Sequence, residues 1–72
     1  MMEFEFGTHE AALSAAPVLQ TQLEQIAGSK VGAKADGSRV LLSLPPLSAQ
    51  KKKVAVYTAK RLAELMRSLE RA

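Results

Sequence analysis

"KVGAKADGSRVLLSL", Lys30 to Leu44, carries two runs of alternating character on either side of Asp36-Gly37, and its reading decides the fold. A polar dipeptide ending in glycine between period-2 segments signals a β-hairpin, because glycine reaches the positive φ that tight hairpin turns demand. With Asp36 and Gly37 as the loop, Ala35 pairs with Ser38, Lys34 with Arg39, Ala33 with Val40, Gly32 with Leu41 and Val31 with Leu42. Val31, Ala33, Val40, Leu42 and Leu44 then share the face to be buried, and a one-residue slip would scatter them. The other face carries Lys30, Lys34 and Arg39 around Leu41 and Gly32. Lys34 directly opposite Arg39 is a like-charge pair that asks for an acid or a ligand nearby.

Upstream of the hairpin, "MEFEF" from Met2 to Phe6 alternates strictly, with Met2, Phe4 and Phe6 on one side and Glu3 and Glu5 on the other. That pattern predicts a half-buried strand. Gly7 ends it, and Thr8 is a suitable N-cap for a helix whose first turn holds the acidic Glu10. Leu19, Leu23 and Ile26 share a face of this helix, with Leu13 on the preceding turns, and Gly28 is the expected C-cap. Pro17 leaves two readings open: a kinked helix, or a short turn from His9 to Ala15 that hands over to a helix starting near Pro17.

Downstream, Pro45 and Pro46 end the hairpin's second strand and Ser48 caps a helix that runs to the C-terminus. Its apolar stripe contains Val54, Ala55, Thr58, Ala59, Leu62, Leu65, Met66 and Leu69; Val56 and Ala63 widen it past half the circumference. A helix so apolar is expected to pack on the sheet and also on another chain. Lys53, Lys60, Arg67 and Arg71 line its polar side, interrupted by Glu64. The order βαββα predicts an α+β fold, a split βαβ unit of the ferredoxin-like type without its last strand. Right-handed crossover places strand three between strands one and two in an antiparallel sheet, order 1-3-2, with both helices on one face. Glu3 and Glu5 then adjoin Arg39 on the open face, where they form a cross-strand ion-pair ladder.

Residues 1–72 make one domain, and a chain this short buries only about 60% of its unfolded surface, so a partner subunit would help it. The absence of cysteine excludes disulfides and thiolate metal sites and makes a reducing cytoplasm the default expectation. No apolar run approaches the roughly 20 residues of a membrane span, and acids stand where a signal peptide would be basic. Lys and Arg exceed Asp and Glu by 10 to 7, for a net charge of +3 and a pI of 9.6, a pointer to an anionic partner.

Little here suits catalysis. His9 stands alone, without a second histidine or a cysteine to complete a metal site, and is read as solvated. Glu3 and Glu5 project from one strand without the pocket that paired catalytic carboxylates need. Ser43 and Ser48 have no base in a known arrangement, and Gly32 and Gly37 belong to the hairpin rather than to a phosphate loop. The expectation is a binding protein, not an enzyme, with no cofactor and no metal.

Two classes of binding remain. As a nucleic-acid surface, Lys51, Lys52 and Lys53 join the free N–H groups of a helix N-terminus in gripping phosphate, Lys60, Arg67 and Arg71 follow the backbone, and Lys34 and Arg39 are further candidates. As an assembly subunit, the chain works through its wide helix stripe and its open strand edge, with Val54, Val56, Tyr57, Leu62, Ala63, Met66 and Leu69 as interface candidates. Only three aromatic residues are present and two belong to the core face, which favours assembly over sequence-specific RNA reading. A small KH-like or other basic RNA-binding α+β domain is the alternative, as is a structural module of unrelated machinery.

The "MEFEF" strand, the hairpin "VGAKADGSRVLLSL" and the last helix, beginning "LSAQKKK" and continuing to "LAELMRSLE", together resemble the small dimer-forming subunit of the KEOPS complex. The resemblance spans nearly the whole chain and rests on pattern and size. It implies a non-catalytic subunit that dimerises, docks on a threonylcarbamoyl-transferase subunit and helps to modify adenosine next to the anticodon of tRNA. Lys51 to Lys53, Pro17 and the Pro45-Pro46 pair depart from that family's pattern.

Overall fold

A computed structural model of the chain describes residues 2–71, with side chains as far as Leu69. The elements follow the order β1 (Met2–Glu5), α1 (His9–Ala27), β2 (Gly32–Asp36), β3 (Arg39–Ser43) and α2 (Ala49–Arg71). The three strands form one antiparallel sheet in the order β1-β3-β2, as the sequence predicts. Phe4, Phe6, Val31, Val40 and Leu42 bury one sheet face against the helices. α1 lies on β2 and β3, and α2 packs chiefly on α1.

The hairpin register differs from the expected one. Asp36 pairs with Arg39, Ala35 with Val40, Lys34 with Leu41, Ala33 with Leu42 and Gly32 with Ser43, so the loop is Gly37-Ser38. Gly37 has φ 62°, and no residue other than glycine has positive φ among the described residues. Positive φ at the first loop position alone fits a type II′ turn; the Asp36-Gly37 loop of type I′ would also have forced Asp36 into that region. The observed register replaces Lys34 opposite Arg39 by Asp36 opposite Arg39, exchanging repulsion for attraction. It slides the pairing by two positions, an even number, so Val31, Ala33, Val40 and Leu42 keep their common face.

α1 is one continuous helix across Pro17 rather than two segments. Pro17 has no N–H to offer the Leu13 carbonyl, but both residues are exposed and water can take that bond. Leu13, expected in the core, points outward at 52% exposure. Thr8 caps the helix by accepting from the Ala11 N–H at 3.2 Å, and Gly28 closes it in the left-handed region at φ 73°. Ser48 caps α2 in the same manner, accepting from the Lys51 N–H at 3.3 Å.

The helix pair is built largely from alanine. Ala12, Ala15, Ala16 and Ala27 of α1 and Ala55, Ala59 and Ala63 of α2 are buried, with Leu19 and Leu23 as the large residues among them. Methyl side chains at four-residue steps let two helices approach toward the short end of the usual 8–10 Å separation. The buried face of α2 is therefore centred on Ala55, Ala59 and Ala63, rotated from the expected stripe. Val54, Leu65 and Leu69 are left exposed.

Val31, just ahead of β2, is held by two side chains one turn apart on α1. Gln20 Nε2 donates to its carbonyl at 3.0 Å, and Glu24 Oε2 accepts from its N–H at 3.1 Å. These bonds satisfy both backbone polar groups of a residue whose side chain is buried.

Candidate nucleic-acid and partner interface

α2 has 23 residues, a length of about 34 Å at 1.5 Å per residue, and it sets the 35 Å long dimension of the molecule. α2 packs chiefly on α1 and only slightly on the strands. Besides the alanine seam, α2 therefore presents two uncovered flanks of different chemistry.

One flank is apolar. Val54, Leu65 and Leu69 are exposed, Leu69 to 75%, and Leu62 and Met66 beside them are half-buried. Met66 and Leu69 also line a groove of about 270 Å³ with Phe6, Ala11, Ser14, Ala15 and Val18 of the β1–α1 segment. Of the seven interface candidates, Val54, Leu62, Met66 and Leu69 belong to this flank. Ala63 is fully buried within the monomer and is not available to a partner.

The opposite flank is basic and carries the other two candidates, Val56 and Tyr57. A groove of about 500 Å³ is lined by Ala49, Lys52, Lys53, Val56, Tyr57 and Lys60. Lys52 and Val56 are shared with a second hollow of about 410 Å³, which reaches Met2, Leu42, Leu44 and Leu47 beside the β1 edge. Tyr57 is 64% exposed, and the Arg61 guanidinium carbon lies 6.0 Å from its ring centroid.

The lysine triplet does not act as a unit. At about 100° per residue, Lys51 and Lys53 project roughly 160° apart, on nearly opposite sides of the helix. Lys52 and Lys53 join Lys60 at the basic groove, while Lys51 does not line it. Arg67 is half-buried, and its Nε donates to the Ala63 carbonyl at 3.2 Å, which draws its head back along the helix. The Arg71 side chain lies outside the described residues.

Lys34 and Arg39 sit on the open sheet face, away from the α2 lysines. Arg39 reaches Glu3 at 3.9 Å and Glu5 at 3.6 Å. These side chains are more than half exposed, so water screens each pair and it adds little to stability. The ladder agrees with the sequence reading and engages the Arg39 charge. Glu5 is further held by its surroundings: the Ser38 hydroxyl foremost, then the Gly7 N–H at 3.0 Å, keep its carboxyl below the ordinary value of 4.5. His9 is not simply solvated, because its Nδ1 lies 2.6 Å from the Gly37 carbonyl oxygen. Its partner is set by tertiary structure, and no local pattern marks it.

Among the described residues no cluster of three or more His, Asp or Glu is placed to hold a metal ion, and no helix is long and apolar enough to cross a membrane. Comparisons of the chain with protein-family models, with curated proteins and with solved structures give no match.

Proposed function

We propose that this protein is a non-catalytic binding module that works as a homodimer, and that it meets an anionic partner, RNA, through the basic flank of α2. The observation that supports this reading is the pair of flanks that α2 keeps free of its own monomer. An apolar ridge of Val54, Leu65 and Leu69 loses water contact only if a second chain covers it. The groove at Lys52, Lys53 and Lys60 is lined by cations and apolar groups with no carboxylate among them. Polyanions bind such flanks by releasing condensed counterions, with little demand on sequence.

In its most concrete form the module is an accessory subunit of a tRNA-modifying machine that installs threonylcarbamoyladenosine, the role implied by the KEOPS resemblance. Another protein subunit then supplies the chemistry, and this chain supplies assembly and contact with tRNA in the cytoplasm.

Sedimentation at micromolar concentration tests the first half, with a dimer expected and a stable monomer opposing it. The second half is tested with unmodified tRNA at two salt concentrations. Wild type is expected to bind with a steep salt dependence, and Lys52→Gln, Lys53→Gln, Lys60→Gln combined is expected to flatten the slope. Equal slopes for both proteins would remove this flank from the function.

A further inference from the structure

We propose that the groove between Lys53 and Lys60 is a site for one unpaired nucleotide of single-stranded nucleic acid, its base stacked on Tyr57 and its flanking phosphates held by the lysines. This rests on the reading of the basic flank as an RNA surface and names what the flank would recognise there.

The chemistry follows from the lining. Val56, Ala49 and the aliphatic stems of Lys52, Lys53 and Lys60 make an apolar floor, and the lysine ammonium groups can reach its rim. Lys53 and Lys60 are two turns apart, about 10.5 Å along the helix, with Tyr57 between them. Its ring stands in solvent at 64% exposure. The Arg61 guanidinium lies over one face of that ring, 6.0 Å from its centroid, so a base would take the face turned toward the groove. A base needs an apolar platform and a phosphate needs a cation, and here the two alternate along one helix flank.

Two features favour an unpaired nucleotide over other anions. A paired base hides both faces in its stack and leaves an exposed tyrosine nothing to lie against, so a duplex would use only the lysines. An acidic polypeptide would likewise satisfy the lysines, but its carboxylates gain nothing from the face of an aromatic ring. The match of π-face and positive charge at one groove is the chemistry of single-strand binding surfaces.

The chain has one tyrosine and no tryptophan, so its ultraviolet emission reports on Tyr57 directly. Titration with an oligouridylate dodecamer is expected to quench that emission. Anisotropy of the labelled dodecamer gives affinities for variants. Tyr57→Leu is expected to weaken binding roughly 5- to 150-fold, the range of one lost base stack, whereas Tyr57→Phe keeps the ring and nearly all the affinity. Lys53→Gln and Lys60→Gln are each expected to lower the salt slope by about one. These are exposed positions, and circular dichroism of each variant verifies the helix.

Unquenched emission on RNA binding, or equal affinity of wild type and Tyr57→Leu, would overturn the nucleotide site while leaving the RNA surface standing. Equal quenching by the corresponding duplex would overturn it in the same way. Polyglutamate binding as tightly as the dodecamer, with loss on Tyr57→Leu, would assign the groove to an acidic polypeptide instead. Binding of neither the dodecamer nor tRNA would overturn both this site and the reading it rests on.

Discussion

The His9 imidazole donates from Nδ1 to the carbonyl oxygen of Gly37 at 2.6 Å, joining the first turn of α1 to the β2–β3 loop across 28 positions of sequence. A carbonyl oxygen only accepts, so the proton must sit on Nδ1. The bond is exposed, and a net contribution of about 1 kcal/mol is in order for it. His9→Ala is therefore expected to lower the thermal midpoint by about 4–8 °C, with the heat capacity change preserved. An unchanged midpoint would mean that water replaces the imidazole without cost.

The Gln20 and Glu24 side chains hold Val31 from α1, and the two bonds differ in kind. Glu24 accepts as a carboxylate from the Val31 N–H, and such charge-assisted bonds contribute about 1.5–3 kcal/mol, here toward the lower end because the site is part exposed. Glu24→Ala leaves that N–H without its partner beside a buried side chain. Native-state hydrogen exchange should show the Val31 amide losing protection, while amides in the centre of β3 keep theirs. Uniform loss across the sheet would instead place Val31 within the global unfolding unit.

Much of this architecture is legible in the sequence. The period-2 runs and the glycine of the turn yield the hairpin and its buried face, and the crossover rule yields strand order. The pairing register is not legible from the dipeptide alone, since Asp36-Gly37 and Gly37-Ser38 both place a glycine in the loop. Electrostatics separates them: only the second puts Asp36 beside Arg39. The helix face is missed for another reason. Hydrophobicity ranks Val54, Leu65 and Leu69 above alanine, whereas close helix packing selects Ala55, Ala59 and Ala63 by size. The split of the lysine triplet needs only helical geometry, and so does the gathering of Lys52, Lys53, Tyr57 and Lys60, because every residue lining that groove stands on one face of α2 at steps of three and four. The contacts of His9 and Val31 span turns and loops, and no local pattern announces them.

Acid should weaken the fold through Glu5 in a defined direction. The Ser38 hydroxyl first, then the Gly7 N–H and the Arg39 guanidinium, hold its carboxyl below 4.5. A group with a lower pKa when folded favours the folded state above its unfolded value and loses that contribution as pH falls through its folded value. Urea midpoints of the wild type are thus expected to hold above about pH 4.5 and decline below it. Glu5→Gln should make that decline shallower. Parallel declines for the two proteins would show that the acid sensitivity resides in other carboxylates.

Core and interface on α2 can be separated by a pair of substitutions with opposite signatures. Ala59 is fully buried in the seam between the helices, so Ala59→Leu forces about three additional carbons into packed space and should cost about 1–3 kcal/mol at any protein concentration. Leu69 is 75% exposed in the monomer, so Leu69→Gln removes little from the monomer's own packing. If the apolar flank is covered by a second copy, Leu69→Gln should shift sedimentation toward monomer. It should also abolish the rise of the thermal midpoint with protein concentration that a coupled dimer shows. Combining it with Leu65→Gln should deepen the effect, because both residues project from the same flank. A wild-type midpoint independent of concentration, together with identical sedimentation of wild type and the double variant, would leave the flank uncovered by a second copy.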